Sequence, residues 1–342
     1  MTEDIEPSIL KKFEVHKLIG KGAYGIVWKS ISRETKTPVA LKKCYDAFRC
    51  DIDAQRTFRE VSYLQFLSNH ENIVKLFDVY TSDNGRDIYL VFEYFPTDLQ
   101  NVLQSTMKLD DKHYQYITYQ LMRGLNYIHD AELIHRDIKP SNILINASCQ
   151  IKICDFGLCR SIVDCQGRHL TDYVATRWYR PPEVLLGATM YDQTIDIWAV
   201  GCIIAEMYRG RVLWQGHSAI NQLEEIISFS DNDTVENALD DIICPFAMHI
   251  LRNISIFRRN SLKEAISCAP SDALDLIENC LAFSPRNRFS ADLALSHAFL
   301  SDFRDPKTEI GYTGRPIALT LDDRQRMSSE VYRDALERKV RK

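Results

Sequence analysis

Between Phe13 and Val91 the hydrophobic positions fall in short alternating or apolar runs, FEVHKLI, YGIVWKSI, PVALKKC and DIYLVFEY, separated by turn residues. Alternation with a period of two puts successive side chains on opposite faces of an extended chain, so these runs predict the strands of a small sheet. One stretch in this region has a different period. From Asp53 to Leu67 the apolar residues Phe58, Val61, Leu64 and Leu67 recur every three residues, which predicts a single main helix packed on that sheet. After Pro96 helical spacing takes over, across Asp110 to Asp130, Thr194 to Tyr208, Ala219 to Phe229, Asp272 to Leu281 and Ser290 to Leu300. The pattern predicts an α+β chain, with a small sheet lobe followed by a larger, mostly helical one.

A chain of 342 residues is long enough for two such bodies, each with its own core. At 45% hydrophobic and 26% charged residues, the composition is that of a globular domain. The net charge of -5 argues against a protein that coats nucleic acid through clustered Lys and Arg, so no nucleic-acid partner is expected. The opening MTEDIEPSIL is acidic and lacks the basic flank and apolar core of a secretory signal, so export is not expected. The apolar run Ile195 to Met207 is shorter than a bilayer span and contains Glu206, and reads as a buried helix, not a membrane span. Ten cysteines, at 44, 50, 149, 154, 159, 165, 202, 244, 268 and 280, show no CxxC spacing and read as reduced thiols. Without export, the sequons at Asn146, Asn232 and Asn253 carry no meaning.

Candidate chemistry appears in four places. Gly20-x-Gly22-x-x-Gly25-x-Val27 lies between two strands, where glycines let a backbone approach phosphates. A dinucleotide-binding turn would need a helix next, but Ile26, Val27, Trp28 and Lys29 continue as strand; alone, the motif is equally a glycine-rich hairpin. Val39-Ala40-Leu41-Lys42 puts a lysine on the following strand, and Glu60 sits on the one helix of that lobe. A carboxylate there can orient the ammonium towards nucleotide phosphates; by itself Lys42 would more often be a solvated lysine. His135-Arg136-Asp137-Ile138-Lys139-Pro140-Ser141-Asn142 supplies a carboxylate to receive a hydroxyl proton, a cation two residues on and an amide oxygen for a metal. Asp155-Phe156-Gly157 adds a hard oxygen ligand on a tight turn after an apolar run. Each carboxylate alone could cap a loop, but the ordered set is specific.

From Phe13 to about Leu300 this ordered set resembles the protein kinases. The resemblance implies a bilobal fold, a small antiparallel β-sheet lobe with one main helix and a larger helical lobe, with ATP in the cleft. It implies residues 1–12 as an N-terminal extension, a kinase domain over 13–302 divided at 95/96 with a helical insert at about 217–270, and a C-terminal extension over 303–342. Asp137, Lys139, Lys42 and Glu60 are then the catalytic set. ATP is expected against Ile19, Gly20, Lys21, Gly22, Gly25, Val27, Ala40, Lys42, Phe92, Glu93, Phe95, Asp98, Asn142, Leu144, Cys154 and Asp155, with Mg2+ held by Asn142 and Asp155. Leu64, Leu76, His135 and Phe156 match the apolar stack of active kinases, and are equally ordinary core.

Thr171-Asp172-Tyr173 followed by VATRWYR is similar to the dual phosphorylation site of MAP kinases. Arg56, Arg59, Arg136 and Arg160 form a set of cations suited to phosphate on Thr171, with Arg177 and Arg180 assigned to phosphate on Tyr173. A cyclin-dependent kinase would share the sheet lobe but carry a single activating threonine, and KKCYDAFRCDIDAQRTFRE and RDIYLVFEYFPTDL resemble the atypical, autoactivating extracellular-signal-regulated branch. The resemblance implies a Ser/Thr kinase that is proline-directed, monomeric, and cytoplasmic with nuclear residence open. Its tail, PIALTLDDRQRMSSEVYRDAL, is expected to fold back on the small lobe. Two departures stand out: Pro181 replaces the alanine of Ala-Pro-Glu before Glu183, with Arg288 as that glutamate's partner, and Thr308 interrupts the acidic docking patch of Asp305 and Glu309, so docking of basic peptides should be weaker. Cys159 stands where the family usually has alanine, with no reason visible in the sequence. A pseudokinase scaffold would be expected to lose Lys42, Asp137 or Asp155, and all three are present.

Overall fold

The computed structural model describes residues 5–22, 25–162, 176–230, 232–244, 247–252, 254 and 260–340. It divides into two compact units: a smaller one of Met1–Pro96, Ile153–Cys159 and Ala318–Lys342, and a larger one of Thr97–Lys152 and Arg160–Ile317.

The smaller unit is built on a five-stranded sheet of β1 (Phe13–Gly22), β2 (Gly25–Ser32), β3 (Pro38–Cys44), β4 (Leu76–Thr81) and β5 (Ile88–Glu93), in the order β1-β2-β3-β5-β4. Every neighbouring pair is antiparallel. On one face Ile26, Trp28, Val39, Leu41, Tyr89 and Val91 form a core that the N-terminal segment covers with Ile5 and Ile9. Of the three glycines between β1 and β2, Gly25 is sterically required: a Cβ there would lie 2.0 Å from the Lys43 carbonyl oxygen. Gly20 and Gly22 meet nothing closer than 3.7 Å, so their lack of side chains is not needed for strand packing.

Helix α1 spans Pro7–Leu10 and α2 spans Asp51–Leu67; in α2, Phe58, Val61, Leu64 and Leu67 are all buried, as the sequence spacing predicts. The helix starts two residues before the expected Asp53, with Asp51 and Asp53 in a first turn where carboxylates complement the exposed N–H groups. Ile153–Cys159 joins this unit through backbone: the Ile153 N–H donates to the Asn72 carbonyl at 2.8 Å, and its own carbonyl accepts from Val74 at 3.0 Å. The tail joins it too. Tyr332, on the helix Ser329–Val340, places its ring 5.5 Å from that of Phe58, and Lys339 Nζ donates to Ser62 Oγ at 2.7 Å.

The larger unit is mostly helical. Helix α3 (Asp111–Asp130) begins with a capping box, in which Asp110 accepts from the His113 backbone. Helix α4 (Thr194–Arg209) is buried over most of its length, and ends at Gly210 in the left-handed conformation that glycine tolerates. Trp198 of α4 stacks on Trp214 at 5.4 Å, and Trp214 meets Phe229 edge-on at 5.7 Å. The expected insert holds short helices at Ala219–Ile227, Asn232–Ala238, Ala247–Arg252 and Leu262–Ala265. Among the described residues no helix is long and apolar enough to cross a membrane.

Candidate active site

In the smaller unit the β2–β3–β5 register sets Val27 opposite Lys42, and Ala40 opposite Phe92. Lys42 Nζ reaches from β3 to Glu60 on α2, at 2.8 and 2.9 Å from the two carboxylate oxygens. Burial alone would favour the neutral amine, but the charges of Glu60 and Asp155 outweigh it and raise the Lys42 pKa. Burial, reinforced by Asp155, pushes the Glu60 carboxyl upward against the pull of Lys42. Asp155 thus lies in the same electrostatic neighbourhood as this pair. Its φ of 66° is in the left-handed region, which is rare for a residue with a side chain, and Oδ1 accepts from the Gly157 N–H at 3.4 Å. Phe156 is fully buried behind it, as is Cys159, which fits there as a small apolar residue and so gains the account the sequence lacked. Cys154 is partly exposed.

The remaining expected nucleotide residues of this unit are on β1 or at the end of β5. Ile19, Gly20, Lys21 and Gly22 lie on β1, with Ile19 at 38% exposure. Glu93 ends β5 and accepts the Lys75 backbone N–H at 2.6 Å through its carboxylate, and Phe95 follows, half-buried.

In the larger unit Asp137 is the centre of a tight polar cluster. Its Oδ2 accepts from Lys139 Nζ at 2.6 Å and from Asn142 Nδ2 at 2.9 Å, while the same Asn142 nitrogen donates to the Asp137 carbonyl at 2.8 Å. The loop is held from below by Asp196 of α4, whose two oxygens accept the backbone N–H groups of His135 and Arg136, each at 2.9 Å. Arg136 has a φ of 71°, so these bonds fix a backbone conformation that the residue would not choose alone. His129 Nε2 lies 3.0 Å from Asp196. Burial opposes the Asp196 charge, yet His129, His135 and the Arg136 N–H together keep its carboxyl below the usual range. Asp98 caps the helix Leu99–Gln104 by accepting from the Asn101 N–H at 2.9 Å, and it is paired in register with Leu144.

One residue in each unit offers oxygen donors for a cation. Asn142 spends its amide nitrogen on Asp137, which leaves its amide oxygen without a partner among the described residues, and Asp155 commits only one oxygen to a long hydrogen bond. Both are hard oxygens of the kind that Mg2+ or Ca2+ takes.

The arginines have different partners. Although Arg56 and Arg59 are three residues apart on α2, Arg59 is 4% exposed, with its Nε 2.8 and 2.9 Å from the two oxygens of Asp323 in the tail. Gln55 Nε2 donates to the same carboxylate at 3.0 Å. Arg59, expected among the cations for phosphate on Thr171, is instead already held by a carboxylate from residue 323, far away in sequence. Arg56 lies against Gly157, with its Cβ 3.7 Å from where a Gly157 Cβ would stand. Arg136 lies over the Tyr191 ring at 5.8 Å, Arg160 pairs in a short strand with Ile134, Arg177 is exposed and Arg180 is half-buried. Thr171 and Tyr173 lie outside the described residues. Glu183 and Arg288 form a buried two-pronged pair at 2.5 and 2.6 Å.

Sequence reasoning missed Asp196, Asp323 and the pairing of Tyr179 with Glu206 at 2.7 Å. A signal was present for two of them, since Asp196 and Glu206 are carboxylates within an otherwise apolar helical run.

Residues 13–300 match the protein kinase domain family. The chain is 46% identical over 340 residues to extracellular signal-regulated kinase 2 of Dictyostelium discoideum, covering 98% of this chain and 91% of that protein. It is 41% identical over 348 residues to mitogen-activated protein kinase 15 of Caenorhabditis elegans, covering 98% and 73%. Extracellular signal-regulated kinase 7 of Drosophila melanogaster is 41% identical over 98% of this chain, which spans only 37% of that longer protein. The lysine, glutamate and aspartates described above stand on a chain that belongs to the protein kinase family and, within it, to the MAP kinases of the extracellular-signal-regulated type, serine/threonine kinases that use ATP with a divalent metal.

Proposed function

We propose that this kinase transfers the γ-phosphoryl group of ATP, as its Mg2+ complex, to Ser or Thr residues that precede proline in protein substrates, and that phosphorylation of Thr171 and Tyr173 activates it. The observation that carries the transfer chemistry is the Asp137 cluster, a buried carboxylate presented on a loop whose backbone Asp196 holds. Asp137 receives the proton of the attacking hydroxyl, and Lys139, two residues on, supplies positive charge beside the transferred group. In the smaller unit Lys42, oriented by Glu60, binds the nucleotide phosphates, with Ile19, Gly20, Lys21, Gly22, Gly25, Val27, Ala40, Phe92, Glu93, Phe95 and Cys154 around the nucleotide. Asp98 and Leu144 of the larger unit belong to the same set. Asn142 and Asp155 are the residues that would hold Mg2+, which when bound neutralises charge on the phosphates.

The names of the relatives support the MAP-kinase style of control. Arg56, Arg136, Arg160, Arg177 and Arg180 are the cations that phosphate on Thr171 and Tyr173 would engage; Arg59 is already paired with Asp323. Proline direction is supported by a cavity of about 250 Å3 next to Asp137, which has Pro181, Val184, Ala188 and Tyr191 in its wall. Docking of basic peptides at Asp305 and Glu309 is weak, because Arg304 lies 3.7 Å from the Glu309 carboxylate and already offsets its charge. On this reading residues 13–302 are the catalytic domain of a monomer, 303–342 its extension, and the protein works in the cytoplasm, with nuclear residence open.

The test is to incubate wild type and Asp137→Ala with Mg-ATP and myelin basic protein and to map phosphosites by mass spectrometry. Label that depends on Asp137, at Ser or Thr before proline, is expected, with Thr171 and Tyr173 doubly phosphorylated in wild type alone if activation is autonomous. Wild type that labels nothing after both loop sites have been phosphorylated by an added kinase would overturn the reading.

A further inference from the structure

A kinase directed to Ser or Thr before proline gives the chain's own pairs of that kind a meaning. Of its eleven prolines two follow a hydroxyl residue, in Thr37-Pro38 and Ser284-Pro285. Ser284 is 5% exposed and its Oγ donates to Asp241, so the folded chain withholds it. Thr37 is the opposite case. It is exposed, as is Pro38, which opens β3 with no N–H to give to the sheet. The turn before it is set by backbone: the Lys36 N–H donates to the Ser32 carbonyl at 2.9 Å and the Ser32 N–H to the Thr37 carbonyl at 3.0 Å, with Lys36 at a φ of 59°. The Thr37 and Thr35 hydroxyls lie 2.6 Å apart, a bond between exposed groups that water can replace.

Both threonines line a cavity of about 590 Å3 in the smaller unit, and Lys11, Lys12 and Arg33 are in its wall. The carboxylates in the same wall are Glu34 and Asp78, and Asp78 Oδ1 already accepts the Val79 N–H at 2.8 Å. Lys12 Nζ lies 4.4 Å from the centre of the Tyr80 ring, Arg33 Nε donates to the Leu10 carbonyl at 3.2 Å, and the Arg33 N–H donates to the Lys12 carbonyl at 2.8 Å. The cations are therefore carried where the N-terminal segment meets the β2–β3 turn. That segment includes Ile5 and Ile9, which cover the core of the sheet. A phosphate on Thr37 would bring about -1.5 to -2 charges and three strong acceptor oxygens to a wall with more cations than carboxylates.

We infer that Thr37 is a site at which this kinase phosphorylates copies of its own chain, and that Lys11, Lys12 and Arg33 seat the phosphate, which fastens the N-terminal segment to the sheet. In the transfer Thr37 Oγ1 bonds to the γ-phosphorus of ATP as the bond from that phosphorus to the bridging oxygen breaks and ADP leaves, and the hydroxyl proton passes to Asp137 of the acting copy. Once esterified, Oγ1 can no longer donate, so the Thr35 hydroxyl becomes the donor of that pair. This rests on the proline-directed reading above and adds a modified residue outside the segment of Thr171 and Tyr173.

The experiment incubates the full wild-type chain with Mg-ATP and myelin basic protein in one reaction, beside Asp137→Ala alone, and maps phosphosites by mass spectrometry. Phosphate on Thr37 of wild type is expected, with Ser284 bare and Asp137→Ala unmodified. Myelin basic protein labelled before proline while Thr37 stays bare would overturn this inference and leave the kinase reading standing, whereas wild type that labels neither, with its loop sites phosphorylated, would sink both. Thermal unfolding is the second measurement, on wild type, Thr37→Val and Lys11→Ala/Lys12→Ala, each before and after the same phosphorylation. Modified wild type should gain roughly 2–4 °C more than Thr37→Val, the size of a few partly exposed ionic contacts, and less in about 0.5 M salt, which screens them. Lys11→Ala/Lys12→Ala should lose most of that gain. An equal gain in all three proteins, or a fall on modification through repulsion by Glu34 and Asp78, would overturn the phosphate seat.

Discussion

Removing the Asp323 carboxylate should destabilise the smaller unit far more than loss of an ordinary tail residue. The Arg59 side chain is 4% exposed and that of Asp323 2%, so neither can turn to water. Arg59 Nε has both oxygens of Asp323 as partners, and its Nη2 is already buried without one among the described residues. Asp323→Ala would thus leave a desolvated guanidinium with no counter-charge, and would strip Gln55 Nε2 of its acceptor as well. Breaking one side of a buried pair costs about 3–5 kcal/mol. At roughly 2–4 °C per kcal/mol this is a fall in melting temperature on the order of 10 °C. Because Glu60 follows Arg59 directly on α2, the partner of Lys42 should loosen with it, and phosphoryl transfer should fall in parallel. The assay is thermal unfolding with kinase turnover measured on the same samples, for Asp323→Ala and for Arg59→Leu/Asp323→Leu. The apolar pair should recover most of the stability, since replacing both charges removes the uncompensated one. An Asp323→Ala protein melting within about 1 °C of wild type would refute the argument that this charge is desolvated in place.

Gly25→Ala should lower the unfolding free energy by about 3 kcal/mol or more, read as a lower urea midpoint, because the new Cβ meets the Lys43 backbone at 2.0 Å, whereas Gly20→Ala, with 3.7 Å of room, should fold normally. Equal midpoints for the two would show that the β2–β3 contact is not close. Asp196, whose folded carboxyl is lowered, contributes stability that is complete above the unfolded value of about 3.9 and is lost as pH falls through the lower folded value. Asp196→Asn should therefore lower the melting temperature at pH 7 and flatten its decline below about pH 4; a decline as steep as in wild type would assign the acid limb to other carboxylates.

Much of the fold can be read from periodicity, because burial imposes it. The run Phe58, Val61, Leu64 and Leu67 can face a sheet only as a helix; the alternation in PVALKKC puts Val39 and Leu41 on a buried face, and the continuous apolar run Ile88 to Phe92 is a strand buried on both faces. The chemistry of the site was legible for the same kind of reason: Lys42, Glu60, Asp137, Asn142 and Asp155 are each costly where they stand without a task or a partner, and short motifs announce them. What could not be read is pairing at a distance. Arg59 and Asp323 are separated by 264 positions, and nothing local to either marks the other. On sequence spacing alone Arg56 and Arg59 belong together; in the fold, one lies against Gly157 and the other against the tail.

The buried charges divide by what they hold. Glu183 with Arg288, and Arg59 with Asp323, are two-partner pairs in which each charge answers the other, and their work is to fix segments of chain to the body of a unit. Among the described residues Asp196 and Glu206 instead face hydrogen-bond donors that bear no charge of their own, two backbone N–H groups in one case and a phenol in the other, with His129 a titratable neighbour that Asp196 also bonds. A carboxylate aimed at neutral donors gains less than one aimed at a guanidinium, so stability alone would favour replacing it with an apolar residue. Retaining two such groups on a single buried helix makes sense if what they secure is geometry: the strained backbone at Arg136 that sets Asp137, and the turn at Tyr179 that walls the same cavity. On that view loss of the first, Asp196, should depress kcat through the proton-accepting loop and leave KM for ATP unchanged.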